Sequence, residues 1–363
     1  MATYQLFFQL IHVYTGILSS FLDTPTEKEW KELYHMAVKQ TLAGVLFHAI
    51  EKLPADQRPP RPILLQWFAL AENIRKQNTL LNTECIRIQK LLETEGLHSV
   101  ILKGQGVATY YPTPQLRTPG DIDLWVHAPR KETLAYALQH NRNVDTCYLH
   151  TVFDISHITS VEAHFTPSRL NVPWRNRRLQ KFFKQAKGKK WATKITLTDT
   201  EEFVNVPTAV FNRLYLLLHI YRHFFGEGIG LRQLMDYHYC LLQPFSSEEN
   251  EATIRFLKEW GLLHFAGAVI WVVQKVFGTQ AEHCFVSPNE KEGKFLLQEI
   301  MSGGNFGKYE TRFRGIHSSR RLHRFRAHAY RNLTFARYHL GEVLWGFPWT
   351  VGHYLWRRWN GFL

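Results

Sequence analysis

Two aspartates spaced i, i+2 stand inside an apolar run, Asp121-Ile122-Asp123-Leu124-Trp125-Val126, downstream of a glycine turn, Lys103-Gly104-Gln105-Gly106. The period of a strand puts Asp121 and Asp123 on one face and Ile122, Leu124 and Val126 on the other. Carboxylates next to a core are costly unless a cation accompanies them. Arg117, four residues upstream, is one candidate, and a divalent metal is another. A third carboxylate comes from Val161-Glu162-Ala163-His164-Phe165, whose alternation puts Glu162 and His164 on one face. Glu162 then completes a metal site or takes the proton of an acceptor hydroxyl, and His164 does either or orients its neighbour. The polar outer face of an antiparallel strand would carry the same pair without any ligand. Hard oxygen donors beside a turn open to phosphates suit Mg2+ or Mn2+, and the chemistry this implies is phosphoryl or nucleotidyl transfer. Glycine at 104 and 106 permits close backbone approach, the helix start behind them offers free N–H groups, and Lys103 ends the strand before them.

Other constellations are less specific. His219 and His223 share a helical face, but zinc needs a further ligand, and Ile220 stands where a zinc peptidase motif has glutamate. Arg232 and Asp236, also i, i+4, make either a surface ion pair or a pair that closes over a nucleotide from a helical domain. Between Arg169 and Lys194, the Arg175–Lys190 segment holds Arg175, Arg177, Arg178, Lys181, Lys184, Lys187, Lys189 and Lys190 with no acid among them, and Trp174, Phe182, Phe183 and Trp191 are interleaved in this stretch. It reads as a surface for an anionic polymer or a triphosphate tail, or as a solvated basic loop. A basic region from Arg312 to Arg337 leads into an aromatic end that includes Trp345, Trp349, Trp356 and Trp359. That end is expected to pack back on the helices with a partly exposed aromatic face, with membrane contact as the lesser reading.

The order of glycine turn, Asp-x-Asp strand and later acidic strand resembles the polymerase-β-type nucleotidyltransferase superfamily. Leu102-Lys103-Gly104, Tyr111-Pro112, Arg117, Gly120-Asp121-Ile122-Asp123-Leu124 and Gly228-Ile-Gly-Leu-Arg232-Gln-Leu-Met-Asp236 are similar to a bacterial branch of uncharacterised nucleotidyltransferases. The resemblance implies that Asp121 and Asp123 bind metal, that Glu162 is the third acid, and that the turn at Gly104 faces a triphosphate. Lys103, Gly104, Gln105, Gly106, Arg117, His164, Arg232 and Asp236 are the residues expected to surround the nucleotide. The chain departs from the pattern in having Gly104-Gln105 where Gly-Ser is usual, a longer gap to the first aspartate, and Glu in place of a third Asp.

The elements that must position these residues follow from periodicity. Residues 1–97 read as a helical domain, broken by Pro54 and Pro59-Pro60-Arg61-Pro62. Residues 98–206 read as a small mixed-sheet nucleotidyltransferase core, with strands at Ser99–Lys103, around the aspartates, at Thr146–Val152, Ile158–Phe165 and Trp191–Leu197, and an edge at Phe203–Val206. Residues 207–363 read as a second helical domain, starting with Ala209–Phe225 and Leu231–Leu242. The fold class expected is α+β, a small core flanked by two helical domains. A net charge of +13 in 363 residues favours an anionic partner without choosing among nucleotides, nucleic acid and membrane. Four scattered cysteines read as reduced thiols in a cytoplasmic protein, and the N-terminus reads as an amphipathic helix, not a signal peptide.

The reading that unites these points is a cytoplasmic, Mg2+-dependent nucleotidyltransferase. It moves a nucleoside monophosphate from an NTP to the hydroxyl of a small molecule, RNA or protein. A degenerate fold of the same kind that only binds RNA or protein is the first rival. A metal-dependent glycosyltransferase is the second, disfavoured because helices, not a nucleotide-binding α/β domain, precede the Asp-x-Asp motif.

Overall fold

The computed structural model describes residues 2–141, 145–187, 191–309 and 320–362, excluding the side chains of 2, 3, 320–328 and 331. Helices α1 (Ala2–Thr15), α2 (Glu27–Lys39) and α3 (Ala43–Lys52) lead to α4 (Arg61–Thr94), the long strut of the molecule. Pro60 and Pro62 start α4, where the missing N–H costs nothing. Its inner face repeats at three- and four-residue spacing through Ile63, Trp67, Ala71, Ile74, Asn78, Leu81, Cys85, Ile88 and Leu92. Strand β1 (Ser99–Ile101) follows, then α5 (Gln105–Ala108), β2 (Ile122–Val126), α6 (Arg130–His140), β3 (His150–Phe153), β4 (Val161–His164), α7 (Pro173–Ala186), β5 (Ala192–Thr196) and β6 (Phe203–Pro207). Helices α8 (Ala209–Gly226), α9 (Leu231–Leu241), α10 (Ser247–Trp260), α11 (Leu263–Phe277), α12 (Glu290–Gly303) and α13 (Arg320–Trp359) complete the chain. No described helix is long and apolar enough to cross a membrane.

The architecture is α+β. The main sheet has the order β1-β2-β4-β3, with β2 and β4 parallel and the outer pairs antiparallel; β5 and β6 form a separate antiparallel ribbon. All five residues of β2 are buried, so both its faces are covered. Ile122, Leu124 and Val126 join a small core with Leu81, Ile88, Val161, Ala163 and Val206. Asp123 and Trp125 face the other way, where Trp125 stacks on Phe211 of α8 at 5.3 Å between ring centroids. The larger core on that side is shared by α1–α4 and α7–α12, so the helices before and after the sheet close over one interior.

Two expected strands are shorter than their apolar runs. Thr146 makes only an isolated bridge to Thr151, and β3 begins at His150. The run from Ile158 pairs only from Val161, where the parallel register with Ile122 begins.

Candidate active site

Parallel pairing of β2 with β4 sets Asp123 beside Glu162 and Trp125 beside His164, and antiparallel pairing of β3 with β4 sets His150 opposite His164. Oxygens of Asp121, Asp123 and Glu162 all lie within 4.8 Å of one another. Lys103, just past the end of β1, sends its ammonium among them, with Nζ 2.7 Å from Asp123 Oδ2 and 3.4 Å from Asp121 Oδ1. The donor set is three carboxylates beside a positive charge, a group that could hold a metal ion. A second group, His150, Glu162 and His164, also meets within 4.8 Å.

Burial sets the charges. Asp123 and His164 are almost wholly enclosed, with side chains 2% and 1% exposed. His164 Nε2 lies 2.8 Å from Asp123 Oδ1 and 3.4 Å from Glu162 Oε2, so that nitrogen carries the proton and donates. Burial lowers the His164 pKa against the pull of Glu162, which favours the neutral imidazole. Burial alone would raise Glu162, but His164, His150 and Lys103 outweigh it and hold the carboxyl down at about 2. Asp121 is likewise held below its usual range, burial being overcome chiefly by Lys103. Burial lowers Lys103, which Asp121 and Glu162 partly offset.

A cleft of about 310 Å³ opens over this group. Lys103, Asp121, His150 and Glu162 form its floor, and Arg222, His223 and Glu227 at the end of α8 form its wall. The N-cap Thr208 starts α8 by accepting from the Phe211 N–H, and its apolar body, packed from Phe211 to Phe224, fixes where Arg222 emerges. His219 and His223 lie with rings 4.4 Å apart, and both are lowered mainly by burial. Among the described residues no third ligand joins them to make a metal group.

The remaining expected site residues divide. Gly104 has φ +61°, which favours glycine, and a side chain there would begin 3.8 Å from the Asp121 carbonyl oxygen, so the turn lies on the carboxylates' loop. Gly106 is small for another reason: a Cβ would meet Val206 Cγ1 at 2.8 Å. Gln105 turns inward, its amide donating to Asn78 Oδ1 (3.2 Å) and Asn82 Oδ1 (2.5 Å) on α4. Arg117 does not accompany Asp121 and Asp123. Its Nε and Nη2 fork onto Asp236 at 2.7 and 2.8 Å, where the Tyr111 hydroxyl also donates at 2.6 Å. Asp236 therefore makes neither of the pairs expected from α9 alone. Arg232 donates to the carbonyls of Thr118 (2.8 Å) and Pro119 (3.3 Å), clamping the loop that ends in Asp121.

In the basic segment, α7 buries Leu179, Phe182 and Phe183 and turns Arg177, Arg178, Lys181 and Lys184 to solvent. The aromatics and cations that alternate in sequence thus part to opposite faces, apart from exposed Trp174. Lys189, Lys190 and residues 312–319 lie outside the described residues.

His150 and Arg222 were not legible as site residues. His150 reaches the site only through strand register. Arg222 carries a faint signal, a cation next to His223 in an otherwise apolar helix.

Similarity to known proteins places the chain in a class. A family described as uncharacterised nucleotidyltransferases matches residues 26–278, and the chain belongs to that family. A crystal structure of an antigenic nucleotidyltransferase-like protein from Paracoccidioides brasiliensis is similar at 12% identity and a TM-score of 0.32, covering 55% of this chain and 93% of that one. No curated protein matches the chain.

Proposed function

We propose that this chain is a Mg2+-dependent nucleotidyltransferase that moves a nucleoside monophosphate from an NTP to an acceptor hydroxyl, with release of pyrophosphate. The observation that carries this reading is the convergence of Asp121, Asp123 and Glu162 around the Lys103 ammonium at the floor of an open cleft. Those three carboxylates would hold the cation, which when bound neutralises phosphate charge and makes the α-phosphorus more electrophilic. Lys103 and Arg222 present donors to the triphosphate across the cleft, and the turn at Gly104 leaves the approach free of a side chain. A carboxyl held near 2 binds a proton weakly, so Glu162 serves as a ligand. His150, with its Nδ1 3.3 Å from Glu162 Oε2 and its side chain 22% exposed, is the group placed to take the acceptor's proton. Positioning and charge neutralisation supply the rate.

The test is label transfer from each α-³²P NTP with Mg2+ or Mn2+ in desalted cell extract, with wild type and Asp123→Asn side by side. Label on RNA, protein or a small molecule with wild type alone supports the reading and names the acceptor class. Absence of both transfer and metal-dependent NTP binding gives the chain to the rival, a degenerate fold used for binding. One observation favours that rival: Gln105 points into the core, so position 105 offers no side chain to a phosphate.

A further inference from the structure

Helix α13 has two sticky faces. Phe335, Glu342, Gly346, Trp349, His353 and Trp356 recur at helical spacing toward the protein. On this side Glu342 accepts from the Asn171 N–H at 2.7 Å, Trp349 lies 3.9 Å under the Arg169 guanidinium, and His353 accepts from the Tyr148 N–H at 3.2 Å. The helix is therefore docked by its inner face. The outer face repeats with the same period through Leu340 (56% exposed), Leu344 (62%), Phe347 (72%), Val351 (42%) and Leu355 (58%). Between 338 and 356 the only acid or base other than histidine is Glu342, which is buried. An uncharged apolar strip about 22 Å long, at 1.5 Å per residue, thus faces water. Contiguous apolar patches on that scale mark interaction surfaces.

The arginines described at the strip's ends, and the basic sequence to which it belongs, point to its occupant. Residues 311–363 hold ten arginines, no lysine and one glutamate, a net of +9 out of the chain's +13. Arg337 and Arg358 are exposed at the two ends of the strip, and Trp345 and the 91%-exposed Trp359 lie along it. A second copy of the same face would bring like charges together. An anionic lipid surface matches both features: it takes an apolar helix face into its headgroup boundary, holds tryptophan there, and attracts each nearby arginine.

We infer that α13 lies in the plane of an anionic membrane, its Leu340–Leu355 face in the lipid boundary and its arginines on the headgroups. This binding is independent of the reaction proposed above. It places the cleft over Lys103 on a protein body held at a lipid surface through α13.

Flotation of the full chain with phosphatidylcholine vesicles, with and without phosphatidylglycerol, tests it. The expected result is binding that is at least about tenfold stronger with phosphatidylglycerol and that weakens as salt rises. Leu344→Glu/Phe347→Glu should lose on the order of tenfold or more in binding while keeping its circular dichroism spectrum. If that variant misfolds, Leu340→Gln/Leu355→Gln on the same face carries the test. Failure to float with phosphatidylglycerol vesicles overturns the inference, as does binding unchanged in both folded variants. Sedimentation showing a wild-type dimer that Leu344→Glu/Phe347→Glu dissolves, without vesicle binding, would give the face to a second copy instead.

Discussion

Asp236→Asn removes one negative charge and little else, and its effect can be worked from the pair it breaks. The Asp236 and Arg117 side chains are 5% and 3% exposed, and two bonds of 2.7 and 2.8 Å join them. Burial works against the carboxylate, yet Arg117 outweighs it and holds Asp236 below its ordinary range. An asparagine leaves the guanidinium charged, buried and uncompensated, at a cost of about 3–5 kcal/mol. Arg117→Met/Asp236→Leu removes both charges. Its residual cost is the lost acceptor of Tyr111, about 1–3 kcal/mol. Urea denaturation of Asp236→Asn, and of the matched set of wild type, Arg117→Met, Asp236→Leu and their double, reads these values directly. The two singles together should then exceed the double by at least about 2 kcal/mol. The pH dependence has a fixed sign. A depressed carboxyl contributes stability that is complete above its unfolded pKa of about 3.9 and is lost as pH falls through the folded value. Strictly additive costs, or an Asp236→Asn cost under about 1 kcal/mol, would refute a structural role for the Arg117–Asp236 pair. A folded double variant that has lost NTP binding would return the pair to the nucleotide.

Three further outcomes are expected. Lys103→Met leaves Asp123 buried without its cation, so stability without divalent metal falls by about 3–5 kcal/mol; added MgCl2 should raise the melting temperature more than it does for wild type. Gly106→Ala drives a Cβ against Val206 and costs about 1–3 kcal/mol by denaturation, with metal-dependent NTP binding retained in the folded fraction. Burial holds His223 and His238 at about 4, below the ordinary histidine value of 6.5. The unfolded chain therefore binds more protons between those values. Stability is complete above about pH 6.5 and falls toward pH 4 by up to about 1.4 kcal/mol per pH unit for each histidine, and His238→Phe should flatten part of that slope.

How far the sequence reaches depends on whether a feature is local. The facing of β2 was legible because strict alternation around Asp123, with apolar residues at 122, 124 and 126, leaves one arrangement for a strand covered on both sides. The same held for Glu162 and His164. The meeting of the two strands was not legible, since register is set by packing across the sheet, and with it went His150. Arg117 was assigned to the nearest acids in sequence, whereas its partner lies 119 residues away. Gln105 had an overlooked signal: Asn78 and Asn82 stand on the buried face of α4 where the period calls for apolar residues. Buried amides of that kind need a polar partner, and Gln105 supplies it.

The two halves of the family resemblance, around 102–124 and 228–236, are one physical unit. Gly230 packs so closely that a Cβ would come within 3.2 Å of Asn305, and its N–H donates to the Gln233 side chain at 3.1 Å, which starts α9 at a fixed point. From that start, Arg232 reaches the carbonyls of Thr118 and Pro119 one turn before Asp236 meets Arg117. Two side chains of one short helix, Arg232 and Asp236, thus hold residues 117–119, and the next residues in the chain are Gly120 and Asp121. Asp123 is fixed independently by the β2 ladder and by His164. Asp121, which precedes the ladder, is held instead by Lys103 and, through the loop before it, by α9. A carboxylate pair that must keep one spacing around a cation therefore requires the helical motif as much as the strand, and weakening the α9 anchors should disturb Asp121 before Asp123.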